Sequence, residues 1–358
     1  MPLVHVVHTT EYRYNKPVRL TRHRLMLRPR DSHDLRLIDA TIAVTPPSAR
    51  MRWAHDVQSN SVLYVDFNEA ETDVLRIVSE LELQHYPTGY DLPLEAAAEV
   101  FPFSYQVEEV PDLARLTERH TPDPDRKVDA WARKFLNPRG PTRTMDLLVA
   151  MTKAIKADFR YQGREAEGTN PPTVTLATGT GACRDFALLM MEAVRTLGFA
   201  ARFISGYLYD ENLVDSADKV VGGGFTHAWC SIYLPGAGWV EFDPTNGLVA
   251  GRNLIRVCSA REPYQATPLS GGYIGEPEDF ESMTVNVEVT VGEPQPAHGK
   301  AASGPVPAMG QRETLVPTAP ADAPVAAETA KDRPAAAARA PGLEHDENSF
   351  DDLDLTTP

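Results

Sequence analysis

The hydrophobic residues of this chain change their spacing near residue 125, and this change constrains the fold more than any other feature. Residues 1–90 contain short segments in which apolar and polar side chains alternate, as in strands with one buried face. From residue 126, apolar residues recur three and four positions apart, as on one face of an amphipathic helix. The pattern therefore predicts an all-β segment followed by a segment that begins with helices.

The all-β segment is expected to form an N-terminal antiparallel domain over residues 1–90. Turn residues separate its strands, for example at 15–17 and 46–48, and this spacing favours a sandwich or meander. No pair of its histidines has the spacing of a metal motif on a helix, so we predict no metal site there. The predicted strands span residues 3–14, 24–28, 35–44, 62–67 and 74–83.

The second half is expected to form an α+β domain over residues 125–292, in which helices pack on an antiparallel sheet. Residues 91–124 contain five prolines and little periodicity, and we interpret them as a connector with one short helix near 94–100. Helices are predicted over residues 126–136, 144–158 and 183–197. Strands are predicted over residues 201–209, 226–234, 239–242 and 284–291.

Residues 293–358 are rich in Ala, Pro, Glu and Asp and have no apolar period. Such a segment buries too little apolar surface to offset its chain entropy, so we predict a disordered acidic tail. Residues 344–355 combine acidic side chains with Phe and Leu. The end of the tail is interpreted as a solubilising segment, with docking of a partner protein as the alternative.

The composition argues against several functions and favours a cytoplasmic location. The formal net charge of -15 disfavours binding to nucleic acid or to an acidic membrane surface. The three cysteines form no CxxC pair, which disfavours a disulfide framework. The first residues lack a signal-peptide pattern, and no apolar run is long enough to span a bilayer. These features lead us to expect a cytoplasmic protein.

Cys183 stands where a glycine-containing loop, residues 179–182, leads directly into a predicted helix. The start of a helix carries partial positive charge and unpaired N–H groups. Both favour the thiolate, which is the reactive form of cysteine. The same N–H groups can bind an oxyanion as it develops, so the position suits a nucleophile.

His227 and Asp243 lie on two strands that we expect to form a hairpin. If the loop between the strands has an odd number of residues, Tyr233 opposes Trp239, and His227 lies diagonally across from Asp243 on one face. Diagonal neighbours are roughly 7–8 Å apart at the backbone, so their side chains can meet. In this hypothesis Cys183 attacks an amide carbonyl, His227 transfers the proton, and Asp243 orients the imidazole. The hypothesis therefore predicts an odd loop or a β-bulge.

Four ordered motifs resemble the transglutaminase-like superfamily, a branch of the papain-like cysteine enzymes. Residues 12–14 and 22–30 also resemble the β domain that precedes this core in bacterial members. One departure is Leu188, where many bacterial members carry a histidine, but this position does not affect the triad. The motifs are GACRDFA at 181–187, RTLGFAARFISGY at 195–207, HAW at 227–229 and WVEFDPTNG at 239–247.

The resemblance implies a papain-like or transglutaminase-like core with Cys183, His227 and Asp243 as catalytic residues, and no metal or other cofactor. It implies a thioester intermediate on a protein or peptide substrate. We expect hydrolysis by a peptidase or amidase, with amine transfer by a transglutaminase as the alternative. An alternative of another class is a non-catalytic module that uses the fold as a binding scaffold.

Four further residues are candidates for the oxyanion site or the substrate-binding surface: Tyr161, Asp185, Trp229 and Asn246. Three of them also have a structural interpretation, because Asp185 can cap the helix, Trp229 can belong to the core and Asn246 can form a turn. Cys230 and Cys258 are expected to be structural. A zinc site built from the three cysteines and His227 is an alternative, but their spacing matches no common ligand pattern.

Overall fold

The computed structural model describes residues 3–86, 93–164, 167–209, 226–249 and 253–292. The predicted tail, 293–358, lies outside these residues. The predicted all-β character of the first region is confirmed, although β4 was not predicted and β1 is longer than expected. The strands of this region are β1 (Leu3–Leu20), β2 (His23–Leu25), β3 (Leu35–Thr45), β4 (Arg50–His55), β5 (Ser61–Asp66) and β6 (Glu71–His85).

The middle of the chain is mostly helical. The expected short helix is a 3-10 turn, Ala96–Ala98, and the predicted helix over 144–158 is confirmed with the same bounds. Two helices in this region, α1 and α4, were not predicted. In chain order the elements are β7 (Val100–Phe101), α1 (Val110–Thr117), α2 (Lys127–Arg133), β8 (Thr142–Arg143), α3 (Thr144–Asp158), β9 (Arg160–Tyr161), α4 (Pro172–Thr178), β10 (Thr180–Gly181) and α5 (Cys183–Thr196).

The last part of the described chain consists mainly of strands. Two 3-10 turns, Pro263–Ala266 and Pro277–Asp279, interrupt it. The strands are β11 (Ala201–Leu208), β12 (His227–Leu234), β13 (Gly238–Asp243), β14 (Leu248–Val249), β15 (Leu254–Ala260), β16 (Leu269–Ser270), β17 (Tyr273–Ile274) and β18 (Phe280–Gly292).

Five of these strands form the sheet that carries the candidate site, in the order β14-β13-β12-β11-β15, and all of its pairs are antiparallel. Helix α5 packs against β11 and β12 on one side and against α2 and α4 on the other. The predicted α+β core, with helices on an antiparallel sheet, is therefore confirmed. We expected α5 to be amphipathic, but every residue from Asp185 to Arg195 is buried, because the helix is enclosed on both sides.

The strand predicted over 284–291 was assigned to the second domain, and this assignment is wrong. Strand β18 pairs along its length with β1, and β1 also pairs with β6 and β17. A second sheet has the order β16-β2-β5-β4, so β16 also returns to the N-terminal region. Alternation of apolar residues predicts that a segment is a strand, but it does not show which sheet the strand joins.

No helix in the described ranges has the length and apolar character needed to cross a membrane. The N-terminal sheet packs against the five-stranded sheet of β11–β15 through a shared apolar cluster. In this cluster, side chains of β1 and β6 such as Val6 and Leu81 meet Tyr207 of β11 and Ile255 of β15.

Candidate active site

Cys183 is the first residue of α5, and its side chain is partly exposed. The chain reaches it through β10, which pairs in parallel with β9. Gly181 in β10 packs tightly against α5, because an added Cβ would lie 3.0 Å from the ring of Phe186. The close approach of this strand to α5 places the thiol at the start of a buried helix. The helix start predicted for this residue from the sequence is confirmed.

Asp185 ties the loop before Cys183 to the helix. Its carboxylate accepts hydrogen bonds from the main-chain N–H of Ala182 at 2.9 Å and of Asn170 at 2.7 Å. It also accepts one from Nη2 of Arg164 at 3.1 Å. The Asp185 side chain is only 1 % exposed, so the expectation that it lines the substrate surface is corrected. Asp185 therefore fixes the backbone next to Cys183 at the start of α5.

His227 and Asp243 form a buried pair in which Nε2 of His227 lies 2.8 Å from Oδ2 of Asp243. Both side chains are fully enclosed. They lie on the β12–β13 hairpin, where Tyr233 pairs with Trp239 across a three-residue loop. The odd loop predicted from the sequence is therefore confirmed, and it places the histidine and the carboxylate on one face of the sheet.

Asp243 is held as a carboxylate by the turn that follows it. The main-chain N–H groups of Thr245 and Asn246 donate to its Oδ1 at 2.9 and 3.3 Å, and Nδ2 of Asn246 donates to Oδ2 at 2.8 Å. Burial opposes ionisation, but His227 and Asn246 outweigh it and hold the pKa of Asp243 below its usual value. Asn246 was predicted to line the oxyanion or substrate site, yet its amide group contacts this carboxylate.

The tautomer of His227 follows from this arrangement. Because Nε2 faces an ionised carboxylate, it carries the proton. Nδ1 is buried and makes no hydrogen bond to a nitrogen or oxygen of the described residues, and the Cys183 side chain is close enough to interact with the ring. Burial lowers the pKa of His227, but Asp243 and then Cys183 act in the opposite direction and raise it well above its usual value. Nδ1 is thus the nitrogen able to take a proton from the thiol.

The indole of Trp229 lies against the imidazole of His227, with ring centroids 5.9 Å apart and planes inclined by 26°. Trp229 is fully buried and belongs to an apolar cluster with Ile204, Leu208 and Leu254. We expected Trp229 to line the oxyanion or substrate site, and its burial corrects this expectation. The ring instead fixes the plane of the histidine from the inside.

Tyr161 lies in β9 directly opposite Gly181 of β10 and is 38 % exposed. Burial raises the pKa of Tyr161, and the nearby Cys183 thiol adds to this effect. Of the four additional candidates, Tyr161 is therefore the one that reaches the surface beside the nucleophile. Its role at the oxyanion site stays a prediction.

The other two cysteines are enclosed in the protein interior, although Cys230 lies on β12 only three residues after His227. Cys230 and Cys258 are buried, and burial raises the pKa of each thiol, that of Cys258 to about 12. Across the described ranges, no group of three or more His, Cys, Asp or Glu side chains is arranged to hold a metal ion. The alternative of a zinc site built from the cysteines and His227 therefore has no geometric support.

Two residues that shape the site, Arg164 and Gly206, were not predicted from the sequence. Arg164 reaches Asp185 from a loop with no regular pattern, so no spacing links the two residues. Gly206 pairs with His227 across β11 and β12 and lies against the indole of Trp229. A glycine inside a predicted strand was the available signal for close backbone approach at this position.

A cysteine at the start of a helix, close to a buried histidine–carboxylate pair on a sheet, is typical of thiol-dependent enzymes. The family comparisons agree with this class. Residues 4–84 match the bacterial transglutaminase-like N-terminal region, and residues 129–244 match the core of the transglutaminase-like superfamily. Together the two matches cover more than half of the chain, and the chain belongs to this superfamily.

Relatives of the chain occur in mycobacteria. An uncharacterised protein of Mycobacterium tuberculosis is 28 % identical over 278 residues, which are 74 % of this chain and 86 % of that protein. One from Mycobacterium leprae is 34 % identical over 113 residues, 31 % of this chain and 37 % of that protein. The crystal structure of a candidate cysteine protease from Cytophaga hutchinsonii has a TM-score of 0.59 and 17 % identity, covering 82 % and 92 % of the two chains. At this identity the likeness concerns the fold alone.

Proposed function

We propose that this protein cleaves amide bonds in peptides or proteins through a covalent thioester on Cys183. The observation that carries the proposal is the buried His227, whose Nε2 faces Asp243 and whose ring also interacts with the Cys183 side chain. Asp243 fixes the proton on Nε2 of the same ring, so Nδ1 is available as the base for the thiol at the start of α5.

The reaction begins when the proton of the Cys183 thiol moves to Nδ1 of His227, which gives a thiolate beside an imidazolium. The sulfur attacks the carbonyl carbon of the amide, and the carbonyl oxygen becomes an oxyanion. The main-chain N–H of Cys183, in the first turn of α5, is the proposed donor to this oxyanion, with Tyr161 beside it. Nδ1 then returns its proton to the departing amine, the C–N bond breaks, and an acyl thioester remains.

Water completes the cycle in the hydrolytic reaction that we favour. His227 takes a proton from water, hydroxide attacks the thioester, and the acid leaves as the thiol is restored. A primary amine in place of water would give amine transfer by the same three residues. Adding a primary amine to the assay distinguishes the two outcomes.

The first experiment measures thiol reactivity in the folded protein. Limited iodoacetamide followed by mass spectrometry should label Cys183 much faster than Cys230 or Cys258, because the latter two are buried and resist ionisation. Equal labelling of Cys183 and Cys230 would contradict a catalytic thiol.

The second experiment measures turnover of a fluorogenic peptide library, with and without a primary amine. Cys183→Ala should abolish turnover while keeping the melting temperature of the wild type. Cys258→Ala, which changes a free cysteine away from the site, serves as the control and should retain activity. If no substrate distinguishes wild type from Cys183→Ala, the enzymatic proposal fails and the scaffold alternative gains support.

A further inference from the structure

A recess lies away from the cysteine, where the N-terminal region faces the five-stranded sheet. It is a cavity of about 410 Å³, bounded on one side by residues 30–34 and on the other by strands β11, β13 and β15. Neither Cys183 nor His227 lines it. Its size lies within the range of small-molecule binding sites.

The sheet wall of this cavity carries a row of polar side chains across three strands. Arg202 of β11 pairs with Ser231 of β12, which pairs with Glu241 of β13. Directly paired residues of antiparallel strands share a face, so the three side chains point the same way. Nε of Arg202 donates to Oγ of Ser231 at 3.0 Å, and its guanidinium lies 4.1 Å from the ring centroid of Trp239.

The arginines of the cavity differ in whether a carboxylate forms an ion pair with them. Arg256 is neutralised twice, by Glu241 at 2.6 Å and by Asp34 at 3.2 Å. Arg202 has no carboxylate partner within the described part of the chain. Ser231 accepts a hydrogen bond from its Nε only. Arg30, at the rim, likewise has no acid partner among those residues and makes a single 3.5 Å contact with the carbonyl of Gln58.

The unpaired charge of Arg202 is unfavourable in this setting. Burial lowers the pKa of Arg202 to about 10, and the positive charges of Arg256 and Arg30 act in the same direction, opposed by Glu241. A partly buried cation with no carboxylate in direct contact is a favourable partner for a bound anion. Trp239 covers the flat face of the guanidinium and leaves its Nη edge free for hydrogen bonding.

We propose that this cavity binds a small organic anion through a carboxylate or phosphate group, held by the guanidinium groups of Arg202 and Arg30. The planar guanidinium fork matches two oxygens of either group. Leu254 and Val257 also line the cavity and give it an apolar part. The proposal does not depend on Cys183 chemistry.

The test measures thermal unfolding of the full chain in inorganic phosphate and in succinate, each compared with sodium chloride at equal ionic strength. At least one of the two anions should raise the melting temperature above the chloride reference, and the anion that does so identifies the preferred group. Titration calorimetry with the same probe gives the affinity. Stabilisation by neither anion would overturn the proposal.

Two variants locate the binding. Arg202→Gln should lower the affinity at least tenfold, and in chloride it should melt at the wild-type temperature or above, because an uncompensated charge is gone. Arg30→Gln, at the exposed rim, should weaken binding without affecting folding. Arg52→Gln is the matched control, since Arg52 lies 4.9 Å from the ring centroid of Tyr64, outside the cavity.

Three results contradict the site. They are an unchanged affinity in both cavity variants, an equal loss in Arg52→Gln, and a marked fall in the chloride melting temperature of Arg202→Gln. The last would show that Arg202 serves the fold alone. Cys183→Ala should bind the anion as the wild type does, so failure of this proposal is distinguishable from failure of the proposed enzymatic function.

Discussion

At the scale of single residues, Asp243 determines which nitrogen of His227 holds a proton. Its carboxylate lies against Nε2 and is itself fixed by three hydrogen bonds from the turn at Thr245 and Asn246. This arrangement leaves Nδ1 without a hydrogen bond to any nitrogen or oxygen in the described part of the chain, and so available to the Cys183 thiol. A change at Asp243 should therefore alter the chemistry at Cys183 without direct contact with it.

Asp243→Asn should lower kcat/KM for the peptide substrate by roughly 10²–10⁴-fold, because an amide can leave the proton on the wrong nitrogen. It should also move the alkaline limb of the pH–rate profile to lower pH. In the wild type the carboxylate holds the pKa of His227 above its usual value, so the imidazolium persists as pH rises. The profile is measured from pH 5 to 10.

Asp158→Asn, at the exposed end of α3, is the control and should leave both rate and profile unchanged. An alkaline limb that stays in place in Asp243→Asn would show that this carboxylate does not set the protonation of His227.

At this scale the sequence was a good guide to which residues form the candidate site. It was a poorer guide to which of them are buried. Cys183, His227 and Asp243 could be selected because a helix start and an odd hairpin loop are local features. Asp185 and Trp229 were assigned to the substrate side, whereas the structure encloses both. Enclosure depends on which elements pack around a residue, and that information comes from distant parts of the chain.

At the scale of elements, two helices were not predicted because each has a proline at its start. Helices α1 and α4 each have a proline in the first turn, at Pro111 and Pro172. We treated the prolines of the connector as breakers, but proline is tolerated in the first turn, where its missing N–H has no partner to lose. By contrast, α3 has no proline and a regular apolar period, and its predicted bounds are confirmed.

Asp185→Asn tests the link between the start of α5 and the nucleophile. Three donors point at this buried carboxylate, so the substitution should reduce the free energy of unfolding by roughly 2–3 kcal/mol. It should also slow iodoacetamide labelling of Cys183 in the folded state. Urea unfolding and the labelling rate are the two measurements.

Asp146→Asn is a matched control for that variant, because Asp146 occupies the first turn of α3 with its side chain 77 % exposed. Its effect should stay below about 1 kcal/mol. Equal effects of the two substitutions would mean that Asp185 contributes only a general helix-end charge.

Gly206→Ala tests the contact between β11 and the histidine strand. An added Cβ would lie 2.1 Å from the carbonyl oxygen of Ile255 and 2.8 Å from the indole of Trp229. The backbone must shift to relieve this overlap, so we expect a loss of about 3 kcal/mol in the free energy of unfolding. Because Gly206 pairs with His227, turnover should fall as well.

The control for Gly206→Ala is Gly140→Ala, where the added methyl would make an ordinary 3.5 Å contact with the side chain of Asn137. Its stability should lie within about 0.5 kcal/mol of the wild type. A Gly206→Ala protein as stable and active as wild type would exclude the proposed close packing.

At the scale of the whole molecule, two buried histidines join the N-terminal sheet to the catalytic sheet. Nδ1 of His8 on β1 lies 3.0 Å from the hydroxyl of Tyr207, and Nδ1 of His85 on β6 lies 2.8 Å from the hydroxyl of Tyr209. Burial lowers the pKa of each histidine to about 4. Both therefore stay neutral in the folded protein under conditions in which the unfolded chain is protonated.

This difference makes stability depend on pH. The folded-state pKa values lie below the unfolded value of 6.5, so the contribution is complete above pH 6.5 and is lost as pH falls towards 4. Each histidine should account for roughly 2–4 kcal/mol of that loss. Urea unfolding between pH 4.5 and 7 measures it.

His8→Gln and His85→Gln cannot take up the proton, so each should flatten the pH dependence of the free energy of unfolding. His5→Gln is the control, because His5 lies on the same strand as His8 but is exposed. An unchanged slope in both buried-site variants would assign the acid sensitivity to other groups.

Whole-molecule connectivity was the least predictable property, as β18 illustrates. Its alternating pattern predicted a strand, and it is one, but it pairs with β1 rather than with the catalytic sheet. The N-terminal region is therefore built from two stretches of sequence with the catalytic core between them. A local pattern carries no information on a partner strand more than 260 residues away.

The pairing of β1 with β18 has a consequence for synthesis on the ribosome. Of the described strands, β1 is synthesised first and β18 last. Over most of its length β1 pairs with β6 on one side and β18 on the other, so one edge of β1 stays unpaired until the catalytic sheet has been translated. During that interval β1 presents unpaired N–H and C=O groups, to which a strand of another nascent chain can add. A polypeptide that stalls before residue 280 keeps that edge open, which makes translational arrest in this gene a route to aggregation.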